Sequence, residues 1–244
     1  MATPGMALPV SQRANAVQSP IIPVIAQAIR EHPGTLSLGQ GVVYYPPPAS
    51  VFEAIGALGR DAALNKYQAV HGTDALVEAI SAKLAADNGI RVDAGQRVVV
   101  TAGGNMAFLN LMLAILDPGS EVILPLPWYF NQQMAVTLVG GHAVGVPTDA
   151  DYQLDLDAIE RAITPRTRAI VTVSPNNPTG AVYSREALVA VNALCARRGL
   201  YHVSDEAYEY FVHEGEPAFS PASLPGSAPH PISLYSLSKA YGMA

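Results

Sequence analysis

Cysteine is almost missing from this chain: there is one, Cys195, among 244 residues. A single cysteine excludes an internal disulfide framework and fits a reducing compartment, so a cytoplasmic setting is expected. Cys195 ends the apolar stretch that begins at Leu188, with no polar motif around it, and reads as a core residue and not as a nucleophile. Charge is sparse as well, at 14% of residues, and its balance is acidic, with a net of −6. No run of basic residues offers an electrostatic footprint for nucleic acid or an anionic membrane. No apolar run reaches the roughly 18 residues that cross a bilayer. The first 20 residues lack the basic region and apolar core of a secretory signal. No group of histidines, cysteines and acidic residues has the spacing of metal ligands. His202, in an apolar strand, reads as a satisfied core histidine, and His71 as a loop residue.

Half of the residues are hydrophobic, enough for a sizeable core in one large domain. Residues 1–34 read as an irregular arm followed by a helix, and residues 35–244 as the domain. Helices are expected over 21–31, 50–60, 73–88, the stretch after Gly104 to Leu116, 129–139, 156–163 and 184–198. Thr73 is the expected N-cap of its helix, and Gly89 the stop. Strands are expected over 97–101, 121–124, 143–146, 169–173, 200–204 and 232–235. The stretch from Pro217 to Pro231 reads as a surface loop. Short apolar strands alternating with helices indicate an α/β fold with a mainly parallel sheet flanked by helices. Ligands of such sheets bind beyond the carboxyl ends of the strands.

The polar motifs fall at those ends. Lys239 follows the apolar run from Ile232 to Tyr235 and is flanked by small residues and hydroxyls. Burial disfavours a lysine's charged form, and a neutral amine can condense with an aldehyde. Gly103-Gly104-Asn105 lies between a strand and a helix start, where glycines, free N–H groups and the helix dipole suit a phosphate. Alone, it reads equally as a tight turn. Trp128, the only tryptophan, could stack on a flat ring or lie in the core. Asn177, in Ser174-Pro175-Asn176-Asn177-Pro178-Thr179-Gly180, precedes a proline, which favours extended backbone and would aim its amide at a ligand oxygen. Asp205 ends a strand and needs a cationic or donor partner. A protonated ring nitrogen would serve, and Tyr208 could donate to a phenolate oxygen on the same ring. The plainer alternative makes Asp205 a helix N-cap. Together the motifs describe a ligand with a heteroaromatic ring, a phenolate oxygen, a phosphate and an aldehyde, as in pyridoxal 5′-phosphate (PLP).

In Asn177-Pro178-Thr179-Gly180, Asp205-x-x-Tyr208 and Ser236-Leu237-Ser238-Lys239, in that order and spacing, the chain resembles the class I/II aminotransferases, the fold-type-I PLP-dependent transferases. The resemblance runs from Leu38-Gly39-Gln40-Gly41 through Lys66-Tyr67 to the terminal lysine motif. It implies an aspartate-aminotransferase-like large domain over 35–244 and an enzyme that moves an amino group between an amino acid and a 2-oxo acid. Lys239 would form the Schiff base and carry the proton. Asp205 would pair with the pyridinium nitrogen, and Tyr208 and Asn177 with the ring oxygen. Trp128 would stack on the ring. Gly103, Gly104, Asn105 and Ser236 would hold the phosphate. Tyr67 would reach the phosphate of a second subunit, which implies a homodimer. Gly39 would lie near the substrate carboxylate, and Asn177 would also take part in substrate binding.

The resemblance also implies a strand between the first strand and the lysine strand, and a small domain with a carboxylate-binding arginine. Neither is found in this sequence, so the large domain is expected to be C-terminally incomplete, with exposed sheet edges. A PLP-dependent C–S β-lyase, a non-enzymatic module that kept the pocket, and an inactive fragment are the competing readings.

Overall fold

The computed structural model describes residues 8–39, 41–93, 95–215, 217–226 and 229–244. Gln40 of the Leu38–Gly41 motif, and Pro4 and Gly5 of the expected arm, fall outside the described residues. Eight helices are described: α1 (Gln12–Ala16), α2 (Ile21–Glu31), α3 (Ala49–Leu58), α4 (Asp74–Asp87), α5 (Gly104–Ile115), α6 (Phe130–Leu138), α7 (Leu156–Arg161) and α8 (Arg185–Arg198). Five strands, β1 (Glu121–Leu126), β2 (His142–Pro147), β3 (Thr167–Val173), β4 (Tyr201–Asp205) and β5 (Pro231–Leu234), form one sheet in the order β2-β1-β3-β4-β5. Every pairing is parallel.

The central strands β1 and β3 are largely apolar and buried because helices cover both faces of the sheet there, while the edge strands β2 and β5 are only partly buried. Side chains alternate between the faces along a strand. Val122, Leu124, Val171 and Val203 join Phe108 and Met112 of α5 and Val136 of α6 in one cluster. Ile123 and Ile170 point the other way, into a second cluster with Leu188, Val191 and Leu194 of α8. Helix α8 carries matching end signals. Ser184 accepts a hydrogen bond from the Ala187 amide, Gly199 closes the helix at φ 66°, and Arg197 and Arg198 lie in its last turn.

Several sequence-based expectations change. Residues 97–101 form no ladder; the Val100 amide bonds instead to the His71 carbonyl at 2.9 Å, and Val99 is exposed. A strand exists only where a neighbour offers hydrogen bonds, and among the described residues the only strand beside β5 is β4. Strand β5 is accordingly half-buried along its length, not buried. Part of the expected irregular arm is the short helix α1, capped by Ser11. Thr73 precedes α4 but makes no side-chain cap bond. The 217–231 stretch is more than surface loop: it contains a 3-10 turn (Pro221–Ser223), and Ser220 and Pro221 are buried.

His202 and Cys195 are core residues, as the sequence implied. His202 is fully buried between Thr172 (Nε2 to Oγ1, 3.0 Å) and Asn192 (Nδ1 to Oδ1, 3.3 Å), and burial pushes its pKa down to about 3. Burial pushes the Cys195 thiol up to about 12, which leaves it inert. No helix among the described residues is long and apolar enough to cross a membrane.

Candidate active site

The carboxyl ends of β3, β4 and β5 open into a cavity of about 270 Å³. Asp205, the last residue of β4, lies at its floor. The residue as a whole is half-buried, but its carboxylate is desolvated, and burial raises its pKa to about 6. Its partners are neutral: Gln132 Nε2 donates to Oδ2 at 2.8 Å, and the Ala207 amide to Oδ1 at 3.2 Å. Asp205 makes no ion pair among the described residues. Among the described residues Asp205 is followed by turns and not by a helix start, so the N-cap alternative falls away. A carboxylate held in this way is completed by a cation.

Tyr208 and Asn177 sit above that floor, with Asn177 Nδ2 donating to the Tyr208 hydroxyl at 3.4 Å. Burial raises the phenol's pKa, and the Asp205 charge adds to the effect. Asn177 stands in a turn, and the Asn177–Pro178 peptide is cis. Lys239 lies on the rim in the turn after β5. Its Nζ donates to the Gly41 carbonyl at 2.7 Å and stands 5.4 Å from the centre of the Tyr208 ring.

The opposite wall is the start of α5. Gly103, at φ 90°, turns the chain into the helix, which has no side-chain cap, so its first N–H groups are left for another acceptor. A Cβ on Gly104 would lie 4.0 Å from Ser236 Oγ, so the helix start and the Ser236 hydroxyl face one point. Asn105 is close by, accepting from the Tyr129 hydroxyl at 3.4 Å. A twelve-residue helix with a bare N-terminus and a converging hydroxyl has the chemistry of an anion cradle.

Three expected residues do not line the cavity. Trp128 packs against the apolar cluster beneath α5 and α6, its Cζ3 only 3.1 Å from where a Cβ on Gly145 would stand. The loop after β1 turns Trp128 toward β2 and the next residue, Tyr129, toward the cavity. Gly39 rests beside Ile25 of α2, and the residue that reaches the lysine is Gly41. Tyr67 is wholly exposed and does not line the cavity. The remaining expected residues, Gly104, Asn105, Asn177, Asp205, Tyr208, Ser236 and Lys239, share the one cavity, with Gly103 at the helix start behind it.

The sequence reading missed Gln132, Gly41, Tyr129 and Glu206. Glu206 is buried beside Asp205 and accepts from Ser220 Oγ (2.9 Å) and the Tyr235 hydroxyl (3.0 Å), and burial raises its pKa to about 7. Its one visible signal was position, a second carboxyl after an apolar strand. A wider hollow of about 430 Å³ at the other ends of β3 and β4 contains none of the expected residues.

The donors and acceptors fit PLP part by part. Asp205 has no cation, the α5 start has no cap, and the Lys239 amine stands on the same rim. The comparison with known proteins agrees. A probable aspartate/prephenate aminotransferase of Thermus aquaticus is 37% identical over 239 residues, covering 96% of this chain and 61% of that protein. The aromatic-amino-acid aminotransferase 2 of Thermococcus litoralis is 36% identical, over 90% of this chain and 56% of its own length. A solved aspartate aminotransferase of Thermus thermophilus, a single mutant, superposes with a TM-score of 0.85 at 37% identity, over 97% of this chain and 62% of that one. The chain therefore spans about three fifths of these relatives' length. The family model described as aminotransferase class I and II matches residues 33–244, and with the sheet and the site arranged as they are, the chain belongs to that family.

Proposed function

We propose that this chain carries the cofactor site of a PLP-dependent aminotransferase, which transfers an amino group between an amino acid and a 2-oxo acid. The observation that carries the reading is Asp205: a desolvated carboxylate with only neutral donors, in one cavity with Lys239. When bound, PLP supplies an electron sink for the bonds at the substrate's α-carbon. In this reading the chain supplies the rest. Asp205 keeps the ring nitrogen protonated. Tyr208 Oη and Asn177 Nδ2 donate to the ring oxygen. The first N–H groups of α5 and Ser236 Oγ hold the phosphate, and Tyr129 offers the flat side chain expected of Trp128. Lys239 Nζ would hold the aldehyde end of the cofactor and, once displaced by the incoming amine, would act as the base that moves the α-proton.

The assignment of 1–34 as arm and helix and of 35–244 as the large domain belongs to the same proposal. So do a homodimer, in which the exposed Tyr67 reaches the partner's phosphate, and a cytoplasmic setting, supported by the single buried Cys195.

The test is to incubate the chain with PLP, reduce with borohydride and map the peptides. A single pyridoxyl adduct at Lys239, lost in Lys239→Ala, is expected. Adducts spread over Lys66 and Lys83 as well would overturn the reading.

A further inference from the structure

The turn that carries Lys239 lies beyond the end of β5 and has little of its own to hold it. Its internal bonds are local: Ser238 N to Ser236 Oγ (3.1 Å), Gly242 N to Lys239 O (3.1 Å) and Met243 N to Leu237 O (3.3 Å). Among the described residues, the hydrogen bonds that tie Lys239 and Ala240 to a distant part of the chain come from one segment, residues 41–45. The Tyr45 hydroxyl stands 3.1 Å from the Ala240 carbonyl and 3.3 Å from the Lys239 carbonyl, so its one proton serves both. The Gly41 carbonyl takes the lysine's amine at 2.7 Å. The contact is close-fitting as well as polar. Gly242, at φ +62°, lies so near the 41–45 segment that a Cβ there would meet the Tyr45 carbonyl oxygen at 2.9 Å. Its neighbour Tyr44 is 97% exposed and makes none of these bonds.

We propose that Tyr45 is a positioning residue for Lys239: its hydroxyl fixes the main chain of the lysine turn and so aims Nζ into the cavity. The lysine amine ends a side chain of four carbons, and a main-chain drift of about 1 Å displaces it from a reacting carbon by enough to matter. Tyr45 touches neither the cavity floor nor the phosphate cradle, so its effect passes through the turn. The inference rests on Lys239 being the cofactor-bearing lysine.

The experiment uses this chain in four forms: unchanged, Tyr45→Phe, Tyr44→Phe and Lys239→Ala. One readout is the rate at which PLP becomes trapped at Lys239 under borohydride. The other, without PLP, is hydrogen exchange at the Gly242 and Met243 amides, with β1 and β3 amides as a check that the fold is intact. Loss of one hydrogen bond should slow trapping and speed exchange by about three- to tenfold in Tyr45→Phe. Tyr44→Phe should match the unchanged chain in both. Unchanged trapping in Tyr45→Phe overturns the proposal, whether or not exchange rises. If the unchanged chain traps nothing at Lys239, the cofactor reading fails instead. Exchange then decides the rest: an unmoved rate in Tyr45→Phe shows that Tyr45 does not hold the turn either.

Discussion

The middle of the sheet is sealed: β1 and β3 are buried along almost their whole length. In the N-terminal part, α2 and α3 contain no buried residue at all. Both regions contribute to one site. The buried region supplies Gln132 on α6, Asn177 in the turn after β3 and Asp205 at the end of β4, while the open region supplies the Gly41–Tyr45 segment. Groups that must hold a charge in place are thus carried by the rigid core. Groups that cover the lysine ride on chain whose apolar side chains still face solvent, among them Val42 and Phe52. Stability should therefore be unevenly distributed, with the 41–45 segment opening more readily than the floor.

The sharpest way to break this contrast is a pair of truncations. Met112→Ala, at a position with no exposure, should destabilise the chain by about 2–5 kcal/mol in chemical denaturation. Phe52→Ala on α3, at 58% exposure, should cost less than about 0.5 kcal/mol. Equal costs would mean that the open region is packed after all.

Next in size is Asp205→Asn. Removing the countercharge should weaken PLP binding about tenfold or more, measured by absorbance titration. The same change should stabilise the PLP-free chain at neutral pH. The carboxyl's pKa is raised in the folded state, so its favourable contribution is complete below its unfolded pKa and is lost as pH rises through about 6. The variant's advantage in denaturation should thus appear between about pH 4 and 6 and level off above that. A variant that gains nothing at pH 8 would show that the carboxylate is not desolvated. Buried His202 has the opposite sign: its pKa is lowered, so its contribution is complete above its unfolded pKa and fades as pH falls toward 3. Only the difference between variant and parent isolates Asp205.

The smallest effect concerns caps. Ser184→Ala removes the α8 cap in the sealed region and should cost about 1 kcal/mol. Ser11→Ala removes the equivalent bond from α1, which buries nothing, and should leave global unfolding unchanged. A Ser11 effect as large as that of Ser184 would place α1 within the cooperative unit.

The same contrast explains what could be read from the sequence. Strands β1 and β3 were visible because burial on both faces leaves a nearly unbroken apolar run, and the carboxyl ends of β3 and β4 gave Asn177 and Asp205 directly. Residues 97–101 have the same composition but no ladder, because pairing depends on a neighbour and not on the strand's own residues. Trp128 and Tyr129 show a second limit. Two adjacent aromatics follow β1, and which one turns inward is decided by how the chain leaves the strand, which residue type does not encode. Gly39 and Gly41 pose the same problem in a glycine-rich segment. Gln132 was invisible for another reason: an amide in the first turn of α6 signals nothing until the fold brings it to a carboxylate 73 positions away.

That pairing bears on selectivity. A floor carboxylate met by an arginine would be satisfied before anything arrived, and a neutral ring would lie over it as well as a basic one. Among the described residues only Gln132 and a backbone amide partner Asp205, so its charge stays open for an entering molecule to complete. A ring of the same outline whose nitrogen is replaced by carbon would fill the same space yet leave the electrostatic account unsettled. If the cofactor reading holds, the site would select its occupant by basicity as well as by shape.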